Sequence, residues 1–284
     1  MSAPARPAST VVLIRPSDGR FEVLLVRRHD SVAFMGGAHV FPGGRVDAAD
    51  RLDDPDTLCD GVAEAAARMP DVAPADAVAH HVAALRELFE EAGVLLARDA
   101  NGAMVGVHDG ADRLRSFRAE LAAQATTLRD VAERERLRLA LDMVTPFAHW
   151  VTPEIEIKRF DTRFFVAAAP VNQDAVHDDV ETTGSLWLDP TDAVDWCRRG
   201  EIALPPPTWT TLRTLEKFPT VEAVVTWARA RTVVRLEPGF IHRGDSALLT
   251  LPGDPLYPEI PGLEVPAETR FVLEDGRWRA TTPD

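Results

Sequence analysis

Cysteine is scarce in this sequence, and that scarcity excludes two classes of protein. Cys59 and Cys197 are the only cysteines in 284 residues, and neither belongs to a C-x-x-C pair. A disulfide framework or a cysteine-based zinc cluster needs more cysteines at closer spacing. The pattern therefore favours a reducing compartment such as the cytoplasm.

Long apolar runs are also missing. No stretch reaches the roughly 18 apolar residues that a membrane-spanning helix needs. The opening MSAPARPAST has no apolar segment of the kind found in secretory signals, and the closing TTPD is not an S-K-L peroxisomal address. We therefore predict a soluble, cytoplasmic protein with no membrane partner.

Positive charge is in deficit as well. The formal net charge is −14 and the sequence pI is about 5.0. Such a balance argues against nucleic acid or an anionic membrane as the main partner. It leaves room for a small phosphorylated substrate, because a few arginines or a bound metal ion can reverse the field inside a cleft.

The chain is nevertheless rich enough in apolar residues to build a large core, at 45% of its composition. We predict one main domain over residues 8–230 and a C-terminal extension over 231–284 that packs on it. Residues 47–74 are rich in Asp, Ala and Pro, which indicates an insertion that is helical at GVAEAAARM.

Hydrophobic periodicity predicts a mixed α+β fold. Apolar runs at 10–14 and 21–26, around the turn PSDGR, indicate a hairpin. Further strands are expected at PFAHWVT, KRFDTRFFVAAAP and TGSLWLD, and further helices within 116–144 (two pieces), DPTDAVDWCRRG, LPPPTWTTLRTLEKF and TVEAVVTWARAR. These elements predict a mixed sheet between helices.

The clearest helix signal runs from Ala75 to Ala92. Its apolar stripe consists of Val78, Val82, Leu85 and Phe89. Gly93 is placed to end the helix as a C-terminal cap, and the following VLL predicts a strand.

Three glutamates crowd the end of this helix. Glu87, Glu90 and Glu91 fall within an arc of about 100° that points away from the apolar stripe. Arg86 precedes Glu90 by one helical turn and can pair with it. An ordinary acidic surface would explain such a run, but no lysine is interleaved. A hard divalent cation would relieve the repulsion, which makes Mg²⁺ or Mn²⁺ the candidate ligand.

RELFEEAGV, residues 86–94, resembles the second half of the Nudix box, G-x5-E-x7-R-E-U-x-E-E-x-G-U, in which U is a bulky apolar residue. FPGG, residues 41–44, resembles the loop that opens the box. The 41 residues between Gly44 and Arg86 exceed the spacing of the pattern. Either Asp50 replaces the first glutamate of the box ahead of an insertion, or that position falls at Val78 and the carboxylate is lost.

The resemblance implies a Nudix fold, with a mixed sheet sandwiched between helices and an insertion inside the box, and a metal-dependent hydrolase that cleaves a diphosphate. The implied metal ligands for Mg²⁺ or Mn²⁺ are Glu87, Glu90, Glu91 and the carbonyl of Gly43. The implied catalytic residues are Glu90, Glu91 and Arg86, with Glu181 in the acidic loop HDDVETT as base and Asp179 as the second choice.

The stretch from Leu24 to Gly44 resembles the motif that precedes the box in CoA-cleaving members, although Ala33 stands where that motif has an arginine. The candidate substrate-binding residues are Phe41 and Gly44 of this motif together with Arg27 and Arg28, which would either meet substrate phosphates or form a surface pair at a strand end. Longer stretches, including RFDTRFFVA and LPPPTWTTLRTL, resemble the long-insertion, peroxisomal CoA-diphosphatase-like group.

This second resemblance implies a small-molecule nucleotide substrate. CoA or acyl-CoA would be cleaved to phosphoadenosine phosphate and a phosphopantetheine species. ADP-ribose, NADH and dinucleoside polyphosphates are open alternatives, as is a non-catalytic Nudix-fold binding module. A homodimer is also open.

Overall fold

The computed structural model describes residues 3–29, 36–106, 111–171, 173, 182–243, 246–260, 263, 266–274 and 276–283. Its strands are β1 (Arg6–Ser17), β2 (Arg20–Arg28), β3 (His39–Val40), β4 (Gly43–Arg45), β5 (Cys59–Asp60), β6 (Ala97–Arg98), β7 (Arg138–Ala140), β8 (Thr145–Val151), β9 (Phe160–Ala168), β10 (Thr182–Leu188), β11 (Arg235–Leu236), β12 (Gly239–Arg243), β13 (Ser246–Thr250), β14 (Arg270–Glu274) and β15 (Arg277–Thr281). Its α-helices are α1 (Pro55–Leu58), α2 (Val62–Ala67), α3 (Pro74–Ala92), α4 (Ala111–Ala122), α5 (Leu128–Glu135), α6 (Pro190–Arg198), α7 (Pro206–Leu215) and α8 (Val221–Ala230).

An eight-stranded mixed sheet forms the centre of the molecule. Its main path runs β10-β2-β1-β9-β8-β11, with β3 paired to β2 and β4 paired to β1. The pairs β1–β9 and β8–β11 are parallel and the others antiparallel. The predicted β1–β2 hairpin is confirmed. Its turn is only Asp18–Gly19, both with positive φ, a geometry that matches the strand twist.

Side chains of β1 alternate between two hydrophobic cores, one on each face of the sheet. Val11 and Leu13 pack with α3 and the inserted segment. Val12 and Ile14 pack with α6, α7 and α8 and with apolar residues of the C-terminal strands. The predicted α+β arrangement, a mixed sheet between helices, is therefore confirmed.

Helix α3 lies on the first face of the sheet. Its first residue is a proline, whose missing N–H would have no intrahelical partner in the first turn. Gly93 ends it with φ of 69°, and its N–H donates to the carbonyl of Phe89 at 2.9 Å. Both ends agree with the helix predicted from the sequence.

The strand predicted at VLL, residues 94–96, is wrong. The pairing strand begins at Ala97. The side-chain amide of Gln173 donates to the Leu95 carbonyl at 2.9 Å and accepts from the Leu95 N–H at 2.8 Å. A side chain thus satisfies the backbone groups that a neighbouring strand would otherwise pair.

The segment 47–74 carries a 3₁₀ turn, α1, β5 and α2. The helix predicted at GVAEAAARM is confirmed as α2. β5 pairs with β7, and Asp71 accepts two hydrogen bonds from Arg163 of β9, at 3.1 and 2.5 Å. The segment is therefore tied to the main sheet through Arg163 and to a separate three-stranded sheet, β5-β7-β6, through β5.

The residues after α8 contribute to two sheets. β11 adds to the edge of the main sheet beside β8, and β12 to β15 form a separate antiparallel sheet. Leu249 and Phe271 of this second sheet are buried in the core beneath α7 and α8. Across the part of the chain that the structure describes, no helix is long and apolar enough to cross a membrane.

Candidate active site

The end of α3 that carries the glutamates packs against β4. The N–H of Gly43 donates to Glu91 Oε2 at 2.9 Å. A Cβ atom on Gly44 would lie 2.6 Å from Cδ of Glu87, which is closer than real side chains approach. The paired glycines of FPGG therefore let the backbone of β4 touch two of the three carboxylates.

Arg86 forms the centre of a charged network beneath these carboxylates. Its Nη1 donates to Glu87 at 2.9 Å and to Glu90 at 3.2 Å. Its Nε and Nη2 donate to the two oxygens of Asp50 at 2.9 and 3.0 Å, and Nη2 also reaches the carbonyl of Arg45 at 2.8 Å. One guanidinium thus orients two glutamates and ties them to the loop after β4.

The network distinguishes the two alternatives for the first carboxylate of the box. Asp50 is 1% exposed and bound to Arg86, whereas Val78 belongs to the hydrophobic core. Burial alone lowers the pKa of Arg86, but the bonds to Asp50 and the charges of Glu87 and Glu90 outweigh it and raise that pKa. The structure therefore brings Asp50, and not Val78, to the arginine.

The carboxylate face of α3 is not the open surface that helical geometry predicts. Glu87 and Glu91 are only 8% and 7% exposed, and Glu90 is half-buried. The helix is covered on this side by β4 and by the 3₁₀ turn at 48–50. Charges buried to this degree need partners, which Arg86 and the Gly43 N–H supply.

The three glutamates line a cleft of about 670 Å³. This volume falls in the range typical of small-molecule sites, roughly 300–1,000 Å³. Other residues lining the cleft include Thr10, Arg28, Gly43, Gly44, Asp50, Lys158, Phe160 and Thr162. The cleft therefore brings together the predicted metal ligands, one of the predicted substrate arginines and both glycines.

The donor set has the chemistry that a hard divalent cation prefers, because all three side chains offer carboxylate oxygens. In the conformation described, those oxygens are engaged by Arg86 and by the Gly43 N–H. Among the described residues, no three His, Cys, Asp or Glu side chains converge closely enough to hold a metal ion. An ion can bind here if Glu87 and Glu91 exchange some of these partners for it.

The structure separates the predicted arginine pair. Successive side chains of a strand point to opposite faces of the sheet. Arg28 lines the carboxylate cleft, whereas Arg27 lines another cavity, of about 500 Å³, beside the C-terminal sheet. Phe41 does not line the cleft either. It is buried and packs edge-on against Phe164, at 6.2 Å between ring centroids, in the wall of a neighbouring apolar pocket.

Four more residues bear on how well the sequence predicted the site. Glu181 and Asp179 lie outside the described residues. Lys158 and Thr162 line the cleft but were not predicted. Lys158 could have been found, because it is one of only two lysines in the chain and is the first residue of a predicted strand. Thr162 is an ordinary strand residue with no such signal.

Comparisons with known proteins identify relatives of this chain. A family model described as the NUDT19 Nudix domain matches residues 53–215. The human protein named acyl-coenzyme A diphosphatase NUDT19 is 32% identical over 281 residues, covering 86% of this chain and 74% of the relative. The protein of the same name from Xenopus laevis is 27% identical over 277 residues, with 86% and 73% covered.

A solved structure supports the same fold. The crystal structure of a Nudix hydrolase from Alicyclobacillus acidocaldarius superposes with a TM-score of 0.65 at 28% sequence identity. The match covers 78% of this chain and 96% of that protein.

Proposed function

This chain belongs to the NUDT19 family of Nudix hydrolases, and from that premise we propose that it hydrolyses the diphosphate of CoA or an acyl-CoA. The products would be adenosine 3′,5′-bisphosphate and 4′-phosphopantetheine or its acyl thioester. The observation that carries the proposal is the single cleft in which Glu87, Glu90 and Glu91 face Arg28 and Lys158. The relatives named acyl-coenzyme A diphosphatases support this choice of substrate.

The reaction we propose depends on Mg²⁺ or Mn²⁺. Glu87, Glu90 and Glu91 would hold the ion, and the carbonyl of Gly43 is a further candidate ligand by family resemblance. When bound, the ion would neutralise charge that builds on the phosphorus and lower the pKa of a water molecule. Arg86 would support this metal site, because its hydrogen bonds hold the carboxylates of Glu87 and Glu90 in one orientation.

Two cations of the cleft are suited to hold the diphosphate itself. Within the described residues, Arg28 and Lys158 form no ion pair, and the Nε of Arg28 is buried without a hydrogen-bond partner. A phosphate oxygen would supply the acceptor that this buried N–H lacks. The two side chains would thus position the substrate against the carboxylates.

The proposed reaction is a simple hydrolysis. A water oxygen forms a bond to one phosphorus while the bond from that phosphorus to the bridging oxygen breaks. The water proton passes to a base, for which we propose Glu181 or Asp179 in the acidic loop, and the bridging oxygen leaves with the other phosphate. Both products are phosphomonoesters.

Product identification tests the proposal. The full-length protein is incubated with Mg²⁺ or Mn²⁺ and, separately, with CoA, an acyl-CoA, ADP-ribose, NADH and a diadenosine polyphosphate, and the products are read by mass spectrometry. We expect adenosine 3′,5′-bisphosphate from CoA or acyl-CoA, and no product after chelation of the metal. Cleavage of another diphosphate alone would reject the substrate we propose, and cleavage of none would favour a binding module.

A further inference from the structure

An apolar pocket of about 200 Å³ adjoins the carboxylate cleft. Five residues line both the pocket and the cleft, namely Thr10, Arg28, Gly43, Phe160 and Thr162. The pocket is smaller than the roughly 300 Å³ at which whole ligand sites begin. It therefore suits one part of a substrate whose diphosphate lies at the glutamates.

Aromatic rings make up much of the pocket wall. They are Phe41, Trp150, Phe160, Phe164 and Trp278. The first four come from the main sheet or from the FPGG loop, and Trp278 comes from β15 of the C-terminal sheet. Aromatic walls favour a flat ring system that can stack on them, and every nucleobase offers such a face.

Two polar groups in the same wall have no partner among the described residues. Among the described residues, the buried indole N–H of Trp150 donates to no acceptor, and the side chain is only 4% exposed. Glu156, in the loop between β8 and β9, also lines the pocket, and its carboxylate forms no ion pair with any residue that the structure describes. Buried donors are seldom left unpaired in folded proteins, so an acceptor on a ligand in this pocket would satisfy the indole N–H.

We infer that this pocket binds the adenine base of the substrate, with the ring against the aromatic wall, a ring nitrogen available to the Trp150 N–H and the 6-amino group donating to Glu156. This inference rests on the proposed function, which supplies an adenine nucleotide. It makes the C-terminal sheet part of the substrate site through Trp278.

The geometry of the substrate favours the base over the acyl chain. One ribose separates adenine from the diphosphate, whereas the whole pantetheine arm separates the acyl group from it. A pocket that shares five wall residues with the cleft is within reach of the nearer group. An acyl chain would also leave both the indole N–H and the carboxylate without partners.

The experiment measures binding by calorimetry, independently of turnover. The probes are adenosine 3′,5′-bisphosphate and its counterpart in which hydrogen replaces the 6-amino group. We expect the wild-type protein to bind the amino form about tenfold more tightly. In Glu156→Ala this ratio should fall to about one, because the acceptor is gone. Glu154→Ala is the matched control, since Glu154 is exposed in the same loop and does not line the pocket.

A second variant tests the contribution of the C-terminal sheet. Trp278→Leu should weaken binding of adenosine 3′,5′-bisphosphate and leave binding of 4′-phosphopantetheine unchanged. The inference is overturned if the amino-group ratio is the same in wild type and Glu156→Ala, or if Trp278→Leu weakens phosphopantetheine instead. The product assay on wild type decides the proposed function separately. If wild type cleaves CoA but the amino-group ratio is the same in Glu156→Ala, only the inference about the adenine pocket is rejected.

Discussion

The two carboxylate oxygens of Asp50 accept hydrogen bonds from Nε and Nη2 of Arg86, at 2.9 and 3.0 Å, across 36 positions of sequence. The same guanidinium holds Glu87 and Glu90. The pair therefore joins the loop after FPGG to the glutamate helix, although a long segment separates them in the chain.

Removal of the Asp50 carboxylate should both destabilise the protein and change the orientation of Glu87 and Glu90. Asp50→Ala removes the bidentate partner of Arg86 while Glu87 and Glu90 still pair with its charge, a change that should cost about 1–3 kcal/mol. We expect a lower free energy of unfolding in urea and a reduced kcat. Asp53→Ala is the control, because Asp53 is exposed in the same segment. Equal stability of the two variants would contradict the role of the Asp50–Arg86 pair.

Gly44→Ala should remove activity while the protein stays folded. The added methyl group collides with the Glu87 carboxylate, whose Cδ lies 2.6 Å from the position of the new Cβ. Glu87 must then leave its place beside Arg86. Gly184→Ala is the matched control, because a Cβ there has no neighbour within 4 Å. Circular dichroism checks the fold and the product assay checks activity; retained activity in Gly44→Ala would show that this placement of Glu87 is dispensable.

Glu91→Gln should lower kcat by at least about a hundredfold, because a neutral amide is a poor ligand for a hard cation. The amide oxygen can still accept from the Gly43 N–H, so we expect an unchanged unfolding transition. Weaker Mn²⁺ binding by calorimetry should accompany the loss of rate. Glu133→Gln on the exposed side of α5 serves as the control. A full rate in Glu91→Gln would remove Glu91 from the proposed metal site.

Arg28→Ala should raise KM by roughly ten- to a hundredfold, the range expected when a charge-assisted bond to phosphate is lost. Arg27→Ala should leave KM nearly unchanged, because Arg27 lines the other cavity and not the carboxylate cleft. The adjacent pair thus provides its own control. Equal effects in the two variants would contradict the separation of their side chains.

Acid should destabilise the protein between pH 6.5 and about 4. Burial is the main cause that lowers the pKa values of His39, His80 and His81 to about 4. Below pH 6.5 these histidines bind protons in the unfolded chain but stay neutral in the folded chain. The free energy of unfolding therefore falls as the pH falls. Urea titrations from pH 7 to pH 4 measure this slope.

His81→Gln removes one of these titrating groups. The slope between pH 6.5 and 4 should therefore be shallower than in wild type, whatever the stability of the variant at pH 7. His242→Gln is a control, since His242 lies on β12 of the C-terminal sheet, away from α3. An identical slope in wild type and His81→Gln would contradict the neutral, buried state of His81.

Local pattern was enough to predict the helices α2 to α8 and the five longest strands of the main sheet, β1, β2, β8, β9 and β10. The stripe of Val78, Val82, Leu85 and Phe89 and the glycine after Ala92 predicted α3 almost to the residue. The strand at 94–96 failed, because a side chain from Gln173 satisfies Leu95. No local pattern contains a contact of that kind.

The sequence by itself determined the chemistry of the site. RELFEEAGV and FPGG specified three carboxylates, an arginine and two glycines, because helix periodicity and motif spacing act over a few residues. Only the tertiary structure decided that Asp50 reaches Arg86, that Arg28 faces the cleft while Arg27 does not, and that Trp278 joins the apolar pocket. These relationships depend on how an inserted segment folds back and which face of a sheet each strand presents. Both are set by packing between residues that are distant in the chain.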